Sequence, residues 1–207
     1  MRQKKIITSI MKHLINIGLL ALFLTLSFSF SSKKGDEVRL YKSLNEALLN
    51  PSEVTHLKLT RKKYYTFPLD ILKLKNLIYL DLSKNRMDSI PTSIKELTKL
   101  EEIKLNSNNF ISFPDAICQL STLKKLGLAE NSIENIPSGI SDLKNLEVLD
   151  LYRNSVTDIS SEIRNLDSLK RLDLRMIEID DEKQERIEAL LPNTRVMLTA
   201  PCNCATR

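Results

Sequence analysis

Residues 77–91 read LIYLDLSKNRMDSIP, and this stretch decides the fold of the 207-residue chain. It opens with the pattern apolar-x-x-apolar-x-Leu, and the same pattern recurs at intervals of 23 residues along the sequence. The pattern begins at Val54, Leu77, Leu100, Leu123, Leu146 and Leu169. Six matches in register exclude coincidence and indicate an array of repeated structural units.

Each recurring residue type in the unit has a physical role. Leu80 and Leu82 alternate with a polar position, which predicts a short strand with one buried face. Asn85, turned inward where the chain bends, can bond backbone groups that neither strand nor helix satisfies. Pro91 cannot donate to a sheet, so it helps to end the strand side and starts a return segment. The equivalent residues are Asn108, Asn131 and Asn154, and Pro68, Pro114 and Pro137.

The pattern from Leu77 to Pro91 resembles the leucine-rich repeat family in its 23-residue bacterial form. The resemblance implies an α/β fold, a solenoid or horseshoe with a parallel β-sheet on the concave face and helical caps at both ends. The upstream motif Leu44-x-x-Ala47-Leu48-x-Asn50-Pro51 is similar to the start of exported leucine-rich repeat proteins of pathogenic spirochaetes.

The sequence predicts four parts. Residues 1–31 form a signal peptide or an N-terminal anchor, residues 32–53 an N-terminal cap helix, residues 54–176 six repeats, and residues 177–207 a C-terminal cap and tail. The repeat pattern weakens at the ends, where capping is expected, because Lys62 and Ile177 replace the Asn and Ser160 replaces the Pro.

Both caps are predicted to contain a helix. The first helix covers residues 41–48 and is stopped by Asn50-Pro51, so that it shields the N-terminal edge of the solenoid. The second covers residues 181–191, with Asp180 or Asp181 as N-cap and Pro192 as stop. Its inward residues are Ile187, Leu190 and Leu191.

The beginning of the chain has the layout of a signal peptide. A basic start at residues 2–13 precedes an apolar run at residues 14–30, and small residues follow. The run is also just long enough for an uncleaved membrane anchor, which is the alternative. The first 31 residues hold four basic and no acidic residues, so 27 basic and 26 acidic residues remain. The basic balance therefore belongs to this leader, and nucleic acid is not expected as a partner.

The three cysteines are Cys118, Cys202 and Cys204, and an odd number leaves at least one thiol free or intermolecular. Cys202 and Cys204 provide half of a metal site at best, so incidental cysteines on a frayed tail are favoured. Cys118 follows the inward Ile117 and is expected to pack on the outer side of a repeat. No metal or cofactor is expected.

Matching positions of successive repeats form columns on the concave face, because neighbouring strands lie about 4.8 Å apart. The first column is His56, Tyr79, Glu102, Lys125, Val148 and Arg171. The second is Lys58, Asp81, Lys104, Gly127, Asp150 and Asp173. The third is Thr60, Ser83, Asn106, Ala129, Tyr152 and Arg175.

These columns contain the candidate partner-binding site. The small residues Gly127 and Ala129 predict a shallow dip, bordered by Lys104, Lys125, Asp150 and Tyr152. Aromatic and Arg side chains are frequent anchors at interfaces. The predicted partner-binding residues are Tyr79, Asp81, Glu102, Lys104, Lys125, Asp150, Tyr152, Arg171 and Arg175. The alternative is a merely solvated sheet face of mixed charge.

Asp150 and Asp173 are neighbours in one column and could bind a cation or share a proton. An ion-paired surface is favoured, since Arg171 and Arg175 lie close enough to neutralise both carboxylates. An enzyme is not expected, because His56 is the only His outside the leader and neither a zinc-spacing motif nor a nucleotide loop is present.

Two functions remain after these exclusions. The first is an exported or surface-associated module that binds a protein through its concave face, with host proteins among the candidates. The second is a structural envelope protein anchored in the membrane by an uncleaved leader, at residues 14–30. Cleavage of the leader would separate the two.

Overall fold

The computed structural model describes residues 38–199, and eight parallel strands form one sheet across them. Its order is β1-β2-β3-β4-β5-β7-β9-β10, so each strand lies next to those of the neighbouring repeats. The strands are β1 Leu40–Tyr41, β2 His56–Lys58, β3 Tyr79–Asp81, β4 Glu102–Lys104, β5 Lys125–Gly127, β7 Val148–Asp150, β9 Arg171–Asp173 and β10 Arg195–Met197. A second sheet pairs β6 Asn135–Ile136 with β8 Asp158–Ile159.

The register of the sheet is the one that the 23-residue repeat predicts. His56 lies opposite Tyr79, Tyr79 opposite Glu102, and this pairing continues through Lys125 and Val148 to Arg171. The central residue of each repeat strand is a buried Leu or Ile, while its two neighbours point to the other face of the sheet. The predicted columns are therefore confirmed.

The return segments are short 3₁₀ helices. They span Leu69–Lys73, Thr92–Glu96, Asp115–Gln119, Ser138–Asp142 and Ser161–Asn165, and a further short one covers Pro51–Glu53. Each of the first five buries one Ile against the strands, and burying such a side chain contributes about 1.5–3 kcal/mol. Four of these five begin after a Pro. Ser160 replaces the Pro in the fifth, and its side chain accepts a hydrogen bond from the backbone N–H of Glu162 instead.

The Asn residues bridge neighbouring repeats as the sequence predicts. The Asn131 side-chain amide donates to the carbonyl groups of Leu105 and Leu128, at 3.2 and 2.8 Å. Its Oδ1 accepts from the backbone N–H groups of Asn108 and Phe110, both at 3.2 Å. One side chain thus satisfies backbone groups of two successive turns of the solenoid.

A left-handed residue precedes this Asn position in every repeat. These residues have φ between 55° and 61° and are Arg61, Lys84, Ser107, Glu130, Arg153 and Met176. None is a glycine, although glycine adopts this conformation most easily. The bend after each strand is therefore imposed by the surrounding hydrogen bonds and not by local preference.

The ends of the solenoid differ in part from the predictions. The N-terminal helix α1 covers only Leu44–Ala47, because Tyr41, expected in the helix, pairs with Leu57 in β1. A strand therefore covers the N-terminal edge that a helix was predicted to shield. The C-terminal helix α2, Asp181–Leu190, matches its prediction and has Asp180 as N-cap. Strand β10 was not predicted.

The leader, including the apolar run at residues 14–30, lies outside the described residues, as do Cys202 and Cys204. Cys118 lies inside them and is buried, as its predicted position on a repeat requires. Within residues 38–199, no helix is long and apolar enough to cross a membrane.

Candidate protein-binding face

Ring stacking and charge fix the N-terminal part of the concave face. The rings of His56 and Tyr79 stack with centroids 5.6 Å apart, and the Lys104 amine lies 5.3 Å from the Tyr79 centroid. Burial works to lower the pKa of Lys104, but the hydrogen bond to Glu102 and the nearby Tyr79 outweigh it and raise that pKa. Lys104 is therefore held as a cation on the aromatic face.

Glu102 joins the first and second columns. Its carboxylate oxygens lie 3.1 Å from the Lys104 amine and 3.3 Å from the Lys125 amine. In the neighbouring repeat, the Asp81 carboxylate lies 3.7 Å from the Lys58 amine. The predicted binding residues of this region are thus in contact through charge, although partly exposed pairs of this kind contribute little to stability.

The second column has a backbone role that the sequence reasoning missed. The side chains of Asp81, Asp150 and Asp173 each accept a hydrogen bond from the backbone N–H two residues later. Side chains of Asp commonly form such local turns. Because Asp recurs at this position in three repeats, the repeat alignment could have revealed the role.

Gly127 lacks such a side chain, and Asn106 of the preceding repeat replaces it. The Asn106 Oδ1 atom accepts a hydrogen bond from the Ala129 backbone N–H at 3.1 Å. A Cβ atom on Gly127 would lie 2.7 Å from that oxygen, which is too close. The glycine is therefore required so that Asn106 can approach the backbone.

The predicted dip is a concavity of about 260 Å³. Lys104, Lys125 and Asp150 line it, as expected. Tyr152 is not among the lining residues, and Arg171 is. A second concavity of about 470 Å³ lies beside it, towards the N-terminal repeats, with Lys58 and Arg61 in its wall.

Asp150, Asp173, Tyr152 and Arg175 form one cluster at the C-terminal end of the face. Arg175 donates to both carboxylate oxygens of Asp173, at 2.9 and 2.7 Å. Its guanidinium carbon also lies 5.7 Å from the Tyr152 ring centroid. The predicted ion-paired arrangement is therefore present for Asp173.

The two carboxylates of this cluster differ in acidity. Burial raises the pKa of Asp150; the Tyr152 N–H opposes this effect and the negative charge of Asp173 adds to it. Burial acts in the same direction on Asp173, but the hydrogen bonds from Arg175 outweigh it and lower the pKa. The pair is thus asymmetric, with the charge held mainly on Asp173.

Strand β10 extends the columns by one rung. Arg195 lies opposite Arg171, and both side chains are exposed. Sequence reasoning missed Arg195, although the alternation of polar and apolar residues from Arg195 to Val196 is a weak strand signal. Burial raises the pKa of the Cys118 thiol to about 12, so this cysteine is protonated and unreactive. The described part of the chain contains no cluster of three His, Cys, Asp or Glu residues suited to a metal ion.

The comparisons with known proteins agree with this architecture. The family described as "Leucine-rich repeat region" matches residues 53–196. No curated protein sequence matches the chain. A leucine-rich repeat protein of Leptospira interrogans is 30% identical, with a TM-score of 0.62, over 70% of this chain and 43% of that one.

Two internalins of Listeria monocytogenes share the fold at 22% identity. Internalin inlF has a TM-score of 0.60, and the match covers 80% of this chain and 48% of that one. Internalin C2 has a TM-score of 0.61, with 78% of this chain and 68% of that one covered. The chain therefore spans less than half of the Leptospira protein and of inlF. The family match covers most of this sequence, and the chain belongs to the leucine-rich repeat family.

Proposed function

We propose that this chain is a recognition module that binds a protein through the concave face of its solenoid. One observation carries the proposal. The inward residues are a near-constant Leu and Ile set, whereas the outward residues of the same strands change from rung to rung and stand in fixed columns. Such a surface presents a specific pattern on a rigid support, as solenoid faces that bind partners do.

The proposed contact residues are those predicted from the sequence, with Arg195 added. Tyr152 and Arg175 are the strongest candidates, because each is partly exposed and each is restrained by the other. Restrained aromatic and Arg side chains lose little entropy on binding and often dominate the affinity.

A binding function without catalysis is favoured by the chemistry of the face. The Asp173 carboxylate is neutralised by Arg175, and the Cys118 thiol is buried with a raised pKa. Neither group is suited to act as a base or a nucleophile at neutral pH. This supports the proposal that the chain is not an enzyme.

The proposed location is the cell exterior or the cell surface. A basic start, an apolar run and small residues at the beginning of the sequence support export. The alternative is a structural envelope protein held by an uncleaved leader. A host protein is the proposed partner in the first case, and another envelope component in the second.

The binding proposal is tested by comparing two double variants of the whole protein. Tyr152→Ala/Arg175→Ala removes the two anchors from the concave face. Leu69→Ala/Arg164→Ala is the matched control, because it removes one large apolar side chain and one Arg, both exposed on the 3₁₀ segments. Immobilised proteins are incubated with extracellular host proteins and with envelope proteins of the producing cell, and bound proteins are quantified by mass spectrometry.

We expect the anchor variant to lose capture of the partner by about tenfold or more, while the control captures it normally. Equal capture by the anchor variant and the control would place the binding site away from the concave face. Equal loss in both would show that capture does not depend on any specific face.

The export proposal has a separate test. The protein is isolated from its own cells after separation of medium, periplasm and membranes, and its N-terminus is identified by mass spectrometry. A mature chain that starts near Ser32, in the medium or on the outer surface, supports a secreted binder. An intact Met1 in the inner-membrane fraction instead supports the anchored envelope protein.

A further inference from the structure

Five cationic side chains lie together on the loops that follow β2 and β3. We call them the basic rim, and they are Arg61, Lys62, Lys63, Lys84 and Arg86. All five are exposed, and none forms an ion pair with another described residue. Ion pairs are frequent elsewhere in the described chain, as between Lys75 and Glu96 or Lys170 and Glu147.

The rim brings like charges close together on an ordered backbone. Arg61 and Lys84 occupy the same position of adjacent repeats, and the Arg61 backbone N–H donates to the Ser83 carbonyl at 3.3 Å. The Asn85 side chain fixes the loop between them, because its Oδ1 accepts from the backbone N–H groups of Lys62 and Tyr64. Like charges on neighbouring rungs are unfavourable in the absence of a counterion or a partner.

Lys63 adds a second unfavourable feature. Its φ is 62°, in the left-handed region, and no other repeat has a left-handed residue at the equivalent position. Glycine or asparagine would adopt this conformation at lower cost. A long cationic side chain is therefore present where the backbone alone would favour a small residue. Strain of this kind is concentrated at functional sites.

An aromatic platform borders the rim. The Arg86 guanidinium lies 5.3 Å from the ring centroid of Tyr65 and donates a hydrogen bond to its hydroxyl. Tyr65 is 61% exposed, so the pair presents a flat cationic and aromatic surface to solvent. Arg and Tyr together are typical of contact sites for proteins.

The rim is continuous with the concave face. Arg61 and Lys84 also line the concavity of about 470 Å³. The equivalent loop of the fourth repeat carries the opposite charge, at Glu130 and Glu134. The near-neutral balance of residues 32–207 therefore conceals charges that are separated in space.

We propose that the basic rim docks an acidic segment of the protein that the concave face binds. This inference rests on the proposed function and adds the chemistry of the partner. The acidic segment lies along the rim, its carboxylates pair with the five cations, and it enters the concavity beside Arg61 and Lys84. The charges speed the encounter and set its orientation.

The test uses the whole protein and a fluorescent poly-L-glutamate peptide as probe. Lys62→Glu/Lys63→Glu/Lys84→Glu reverses three charges of the rim. The control, Lys95→Glu/Lys99→Glu/Lys144→Glu, changes the net charge equally, but its three exposed lysines lie on the 3₁₀ segments and on the turns before the strands. The urea midpoints of all three proteins are compared to confirm folding.

We expect the rim variant to bind poly-L-glutamate about tenfold more slowly or worse, while the control loses much less. The binding of the wild type should weaken as salt is added. Equal losses in the two variants would overturn the proposal, because they would show that only net charge matters. Tighter binding of an oligothymidylate of equal charge, lost in the rim variant, would assign the rim to nucleic acid instead. If poly-L-glutamate does not bind while partner capture still depends on Tyr152 and Arg175, this inference fails and the proposed function stands.

Discussion

Single asparagine side chains hold the successive repeats of this protein together. The Asn108 amide donates to the carbonyl groups of Leu82 and Leu105, at 3.1 and 2.9 Å, and its Oδ1 accepts from the Met87 backbone N–H at 3.1 Å. Asn108 is buried, so no solvent replaces these bonds when the side chain is removed. The sequence pattern predicted this role, because a polar residue at a fixed inward position must satisfy backbone groups.

Asn108→Ala is expected to lower the free energy of unfolding by about 2–4 kcal/mol, because it leaves three buried backbone groups without partners. Urea unfolding followed by circular dichroism measures the effect. Asn109→Ala is the control, since the exposed Asn109 side chain makes only one long bond, 3.4 Å to the Arg86 carbonyl. The control should change stability by no more than about 0.5 kcal/mol. Equal losses would mean that the asparagine network does not support the repeats.

Asp150→Asn and Asp173→Asn are expected to change stability in opposite directions at neutral pH. Because burial raises the pKa of Asp150, its ionisation opposes folding, and the cost grows as pH rises through the folded pKa. The asparagine keeps an acceptor for the Tyr152 N–H and should be stabilising. The pKa of Asp173 is lowered, so its ionised form contributes stability that is lost as pH falls through the folded pKa.

Unfolding free energies of both variants, measured from pH 3 to 7 and compared with the wild type, test this asymmetry. The Asp150→Asn gain should disappear towards the ordinary pKa of about 3.8, and the Asp173→Asn loss should disappear below it. Parallel changes of the same sign in the two variants would contradict the assignment of charge to Asp173.

At the level of secondary structure, regular repeats were predictable and the ends were not. The strands and their register follow from the spacing of Leu and Ile, because only one register buries every apolar side chain. Strands β1 and β10 could not be predicted with the same certainty, since neither has the Leu-x-Leu pattern. They form because an open sheet edge leaves backbone groups unpaired, so neighbouring extended segments pair with it.

Ile187 tests the contribution of the C-terminal cap. The side chain is buried where α2 packs on the last repeats, and Ile187→Ala should cost about 2–4 kcal/mol. Because each repeat contacts only its neighbours, amide exchange should accelerate in β9 and β10 and remain slow in β3. Glu185→Ala is the control, as Glu185 is exposed on the same helix. Equal acceleration in β3 would show that the solenoid unfolds as one unit.

For the whole molecule, the sequence could predict the positions of the candidate site but not its chemistry. The columns that hold Tyr79, Glu102 and Lys125 follow from the repeat alone. Two features needed three dimensions. The Asn106 amide approaches Gly127 only because the two rungs are adjacent, and the basic rim forms only because loops from two repeats lie side by side. Net charge, which sums over the chain, could not reveal that separation.

The central claim is that the concave face contacts the partner, and site-specific photocrosslinking tests it most directly. A photoreactive phenylalanine analogue replaces Lys125, exposed in the first column, or Lys95, exposed on the 3₁₀ segment Thr92–Glu96. After irradiation with the captured partner, we expect a covalent adduct from position 125 and none from position 95. An adduct from position 95 alone, or equal adducts from both positions, would contradict binding through the concave face.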